Sequence, residues 1–121
     1  MDNTLISPTV LAGIPTEVLI KLYGEDRRVE INGVELKPER SLKLRNHSPD
    51  GFNWGYPGSG PAQLALAILL EFMPETFAVG LYQQFKFHVV AKWVRSYGPG
   101  YHGVNLNLQQ EIINILKNNQ Q

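Results

Sequence analysis

Hydrophobic residues recur along this chain with two periods, one strand-like before residue 45 and one helix-like after residue 61. VLIKLY at 18–23 is a short β-rich run stopped by Gly24. RRVEINGVELKP at 27–38 then places Asn32 and Gly33 between two alternating pairs, Val29 with Ile31 and Val34 with Leu36. Asn followed by Gly suits the two φ > 0 positions of a type I′ turn, whose twist matches that of paired strands, so residues 29–36 are predicted to form a β-hairpin. Leu42 and Leu44 alternate with Lys43 and Arg45, which predicts a further strand ending at Asn46.

Helical spacing takes over at Pro61, a residue suited to the first turn of a helix, with Ser59 or Gly60 as the N-cap and Gln63 just inside. AQLALAILLEF at 62–72 is apolar on nearly all faces, as expected of a central helix covered by its neighbours, and Pro74 ends it. Phe77, Leu81, Phe85, Val89 and Trp93 recur every four residues, predicting a second helix from Glu75 to about Tyr97, stopped by Gly98, Pro99 and Gly100. Residues 101–104 read as a loop. Asn107 is suited to cap a third helix, with Gln110 three residues on as in a capping box and Leu108, Ile112, Ile113 and Leu116 as its apolar face. Strands first and helices afterwards define an α+β class, with two or three C-terminal helices packed on a small antiparallel sheet. Residues 1–15, with Pro8, Gly13 and Pro15, read as an irregular or partly ordered arm docking through Val10, Leu11 and Ile14. Residues 16–118 are expected to form one domain and 119–121 a frayed tail.

Composition narrows the function classes. A chain of 121 residues is long enough for one core without covalent staples. Eleven Lys and Arg balance 11 Asp and Glu, so the chain-wide basic footprint of a nucleic-acid binder is missing, although Arg27, Arg28, Lys37, Arg40, Lys43 and Arg45 share one stretch. The absence of cysteine excludes disulfides, thiolate nucleophiles and Cys-based metal sites, and fits a reducing cytoplasm. No secretory signal pattern is present, and the longest apolar run, 64–70, is far shorter than the roughly 20 residues of a membrane span. His47, His88 and His102 have no metal-ligand spacing, so neither a metal nor a cofactor is expected.

Chemistry concentrates in residues 46–63. Four glycines, three prolines and three aromatics there rule out a regular element, and Phe52, Trp54 and Tyr56 carry too much area for a solvated linker. SPDG at 48–51 is a β-turn sequence. The stretch NHSPDGFNWGYPGSGPAQLALA, 46–67, together with YQQFKFHVV at 82–90 and the upstream hairpin, resembles a family of bacterial and phage proteins of unknown function. The resemblance spans roughly residues 20–95. It implies a shared fold and loop but no activity, and its phage setting suggests a role in phage–host conflict. Members usually have Gly where this chain has Pro57, which removes one backbone N–H from the loop.

Three readings of this segment compete. Gly58, Ser59 and Gly60 at a helix start present backbone N–H groups to an anion, with Arg45, Asn46, His47, Ser48 and Tyr56 as further ligand-binding candidates. Tyr82 and Lys86, with Trp54 and Tyr56, would frame a planar group; core packing competes for Phe52 and Trp54. On this leading reading the chain is a non-catalytic domain binding an anionic small molecule, a nucleotide or derivative above all. The second reading is a protein-interaction module using the hairpin edge or third helix, near Glu35 or Gln109. The third is an enzyme in which Asp50 orients His47 and Ser48 or Ser59 is the nucleophile. Ordinary turn and cap hydrogen bonding by the same side chains weighs against this third reading.

Overall fold

A computed structural model describes residues 6–95 and 98–118. Four antiparallel strands form one sheet in the order β3-β2-β1-β4, where β1 is Val18–Tyr23, β2 Val29–Ile31, β3 Val34–Glu35 and β4 Tyr101–Leu106. The architecture is α+β, as the strand-then-helix order predicts. The hairpin forms because Asn32 and Gly33 adopt φ of 50° and 85°, the left-handed pair its tight turn requires. Asn32 also ties the turn to β1: its N–H donates to the Leu19 carbonyl at 2.8 Å and its Oδ1 accepts from the Leu19 N–H at 2.9 Å.

Alternation along β1 puts Val18, Ile20 and Leu22 in the core and Leu19, Lys21 and Tyr23 on the opposite face. The buried face shares one hydrophobic core with two consecutive helices, α3 (Ser59–Leu70) and α4 (Glu75–His88), which are joined by residues 71–74 and packed against each other as an antiparallel hairpin. Residues 60–70 of α3 are all buried, as a sequence apolar on nearly all faces predicts. α5 (Leu108–Asn118) buries Leu108, Ile112 and Ile115, and Asn107 caps it by accepting the Gln110 N–H at 3.0 Å. The Gln110 side chain donates to Asn114 instead of returning to the cap, so only half of the capping box is made. Among the described residues no helix is long and apolar enough to cross a membrane.

The structure corrects three sequence expectations about where elements lie. The strand predicted over residues 42–45 is a helix, α2 (Glu39–Leu44). A four-residue alternation fits either state, and the decision falls to Ser41, whose buried hydroxyl donates to the Pro38 carbonyl at 2.8 Å and closes the first turn. Arg40 on this helix reaches the last carbonyl of α3, Leu70, at 3.0 Å. The predicted loop at 101–104 is the beginning of β4, which pairs with β1 from Val18↔Leu106 to Tyr23↔Tyr101. Its polar, glycine-containing sequence carries little strand signal, and its conformation comes from the free edge of β1.

Helix α4 stops at His88, although the four-residue stripe runs on to Trp93. Val89 leaves helical geometry (φ −126°, ψ −69°), a single 3₁₀ turn follows at Val90–Lys92, and the Val90 carbonyl accepts the Gly55 N–H at 3.1 Å. Docking of the glycine-rich loop thus replaces continuation of the helix. The expected helical residues Ser96 and Tyr97 lie outside the described residues, as do 1–5 of the arm and the tail 119–121. Within the arm, Pro8–Ala12 forms a short helix, α1, capped by the Ser7 hydroxyl. It meets α5 where Gln109 donates to the carbonyls of Pro15 (3.1 Å) and Leu11 (3.2 Å).

Candidate functional site

Gln63 organises the segment that follows α2. It is completely buried on an otherwise apolar helix, and its amide makes four hydrogen bonds. Oε1 accepts from the backbone N–H of His47 at 2.8 Å and of Ser48 at 3.1 Å. Nε2 donates to the Ser41 hydroxyl at 2.8 Å and to the Arg45 carbonyl at 3.0 Å. An amide offers two donors and two lone pairs, so its capacity is filled. Residues 45–48 are thereby held against the first turns of α3 in one conformation.

His47 extends the anchorage to α4, since its Nε2 lies 2.7 Å from the Tyr82 hydroxyl. It therefore bridges the two helices, through its backbone to Gln63 and through its ring to Tyr82. One helical turn beyond that bridge stand Ser59 on α3 and Lys86 on α4, because residues four apart share a helix face. The antiparallel hairpin brings both to the same end of the molecule. Lys86 is 8% exposed and makes no hydrogen bond or ion pair among the described residues; its ammonium rests 4.0 Å from the centroid of the exposed Phe87 ring. Gly58 is the N-cap of α3, no side chain caps it, and Ser59 is exposed at the first helical position. The expectation that Ser59 or Gly60 caps this helix is therefore corrected.

The aromatic half of the loop is anchored differently. Phe52 and Trp54 are buried in the core. The indole N–H of Trp54 has no acceptor among the described residues, and the Arg27 guanidinium sits over its ring at 5.0 Å. Tyr56 is half-buried beneath Arg95, whose guanidinium lies 4.8 Å from the ring centroid. Gly60 is required by close approach: a Cβ there would lie 2.6 Å from the Asn53 Cβ and 3.1 Å from its backbone nitrogen. The SPDG turn forms as predicted, with Gly51 at φ 114° and its N–H on the Ser48 carbonyl at 3.2 Å.

The predicted site residues thus gather only in part. His47, Ser48 and the backbone of Arg45 meet at Gln63, whereas the Arg45 guanidinium is exposed and folds back onto the Leu44 carbonyl at 2.7 Å. Asn46 is exposed. Asp50 is exposed and lines a separate cleft of about 230 Å³ with Arg27 and Arg28, and His47 takes Tyr82 as its partner instead. The His47–Asp50 pair required by an enzymatic reading is not formed. Among the described residues, none of the four principal clefts is lined by Arg45, His47, Tyr56 or Ser59. Sequence reasoning missed Gln63 as the organiser. Its signal was a lone amide inside an apolar helix, a position at which a polar group has to be hydrogen-bonded.

Fold and site together define a small α+β domain in which a glycine-rich loop is locked to a central helix by a buried amide. The chain belongs to a family of unknown function, DUF6166, whose model matches residues 21–117. No curated protein and no solved structure matches it significantly.

Proposed function

We propose that this chain is a non-catalytic binding domain that recognises an anionic small molecule, a nucleotide or derivative, at the edge formed by residues 45–48 and the start of α3. The observation that carries this reading is the His47 bridge between α3 and α4. One turn beyond it lie an uncapped helix N-terminus and an ammonium without an ion-pair partner among the described residues. Free N–H groups at a helix start favour negative charge, and a lysine at the same end of the helix pair adds a full positive charge. Arg45, exposed on the same segment, supplies a further cation to the edge. A buried, saturated amide is a costly way to hold a surface loop, and it gives the edge the rigidity that binding without reorganisation requires.

Thermal-shift measurements with inorganic phosphate, nucleoside mono-, di- and triphosphates and cyclic dinucleotides test the reading. A ligand at about 100 times its Kd stabilises the folded state by about 2.7 kcal/mol, a shift of several degrees for a domain of this size. The expected result is a shift with at least one compound that falls in Arg45→Ala and in Lys86→Met. No shift with any compound, in wild type and Arg45→Ala alike, overturns it.

A further inference from the structure

β4 is an outermost strand of the sheet, and hydrogen-bond parity decides which of its backbone groups face outward. Along an antiparallel strand, successive residues turn their N–H and C=O to opposite sides. The Tyr23 N–H donates to the Arg28 carbonyl at 2.9 Å, and the Leu19 carbonyl accepts the Asn32 N–H at 2.8 Å. Leu19, Lys21 and Tyr23 therefore bond toward the hairpin, and Val18, Ile20 and Leu22 bond toward β4. Their register partners there are Leu106, Val104 and His102. The backbone groups of Tyr101, Gly103 and Asn105 are left pointing away from the sheet, without partners among the described residues.

Proteins blunt such margins with charge, proline, bulges or short strands. The opposite margin of this sheet is blunted. β3 has only two residues, and Lys37 and Pro38 follow closely. The Leu36 N–H donates to the Val29 carbonyl at 2.8 Å, so the same parity turns Glu35 outward. Two copies paired at that position would set Glu35 against Glu35, a like-charge pair. β4 has none of these protections. YHGVNL runs for six residues in unbroken register with β1, without Asp, Glu, Lys, Arg or Pro.

We propose that β4 pairs antiparallel with β4 of a second copy of this chain, about a two-fold axis at Gly103, joining the two sheets into one. This register matches every outward residue to an outward residue: Gly103 opposes Gly103, and Tyr101 opposes Asn105. No like charges meet, and Gly103 brings no side chain to the axis. A peptide from another protein would be selected through pockets for its alternate side chains. Among the described residues, none of the four principal clefts is lined by residues 101–104. A second copy needs no pocket, because it brings an equally unprotected strand in matching register. With β3 blunted, assembly stops at the closed pair and does not continue as a filament. The inference is independent of ligand binding at the α3 edge.

Sedimentation equilibrium over about 1–500 µM protein tests the proposal. A six-residue strand pair buries less than the roughly 1,200–2,000 Å² of a standard interface, so reversible dimerisation in the micromolar range is expected. Gly103→Pro removes an N–H that β1 does not use. Proline is tolerated where that N–H faces solvent, so this variant should fold and stay monomeric. Gly103→Lys and Gly103→Glu also fit the single chain, since a Cβ there would lie 3.7 Å from the Tyr101 ring. Each alone should associate more weakly than wild type. Their equimolar mixture should associate about 2- to 30-fold more tightly than either, because an opposite-charge pair replaces a like-charge pair at the axis. If Gly103→Pro fails to fold, the mixed-charge measurement decides by itself. The proposal is overturned by a wild type that stays monomeric or grows beyond the dimer, or by a folded Gly103→Pro as dimeric as wild type. A mixture no tighter than its components overturns it equally.

Discussion

The edge along α3 and the open face of the sheet both present polar and aromatic groups to solvent, yet they are built in opposite ways. The edge is held from beneath by Gln63, a buried side chain that touches backbone at Arg45, His47 and Ser48. The sheet face needs no such anchor, because the register of β1 and β4 already sets Tyr23 beside Tyr101. One surface depends on a polar group in the core, the other on backbone pairing alone. It follows that the edge cannot be altered from below without loss of stability, whereas the sheet face can lose its side chains while the fold persists.

Substitution of Gln63 should break this contrast most visibly. Gln63→Ala removes four hydrogen bonds and leaves buried groups of residues 41–48 without partners, so about 3–4 kcal/mol of stability should be lost, read as the shift of the urea midpoint at constant slope. A loss below about 1 kcal/mol would mean that water replaces the amide and that the edge is not rigidly held. Gly60→Ala comes next. The added methyl meets Asn53 at its Cβ and backbone, which cannot swing aside, and about 1–3 kcal/mol of overpacking should outweigh the gain in helix propensity.

Tyr82→Phe deletes the hydroxyl that holds His47 and should cost about 1 kcal/mol, with the His47 ring signals in NMR moving toward those of a free imidazole. The smallest effect is expected from Tyr101→Ala, about 0.5–1 kcal/mol for one exposed cross-strand pair. A larger loss there would show that the tyrosine pair is an element of stability in its own right, and would narrow the difference between the two surfaces.

Much of this fold was legible along the chain because its signals are local. Asn32 and Gly33 tolerate the positive φ that a tight turn needs, Pro74 bars a helix from running through it, and the largely apolar run at 62–70 has to be covered. The misread elements depend on distant partners. Residues 42–45 are helical because Ser41 closes a turn and meets Gln63, 22 residues on. β4 exists because β1 has an open edge, and α4 ends early because Gly55 takes the Val90 carbonyl.

The same division applies to the sites. Sequence alone marked residues 46–63 as the distinctive segment and supplied His47, Ser59 and Tyr56 as candidates, since glycine, proline and aromatic content of that kind fits no regular element. Tertiary structure alone decided that His47 is bound to Tyr82 and not to Asp50, and that Gln63 anchors the edge. It also brought Tyr23 and Tyr101, 78 positions apart, side by side. Periodicity reports which way a residue faces within its own element, whereas a hydrogen bond across elements is set by how those elements pack, and packing is a property of the whole chain.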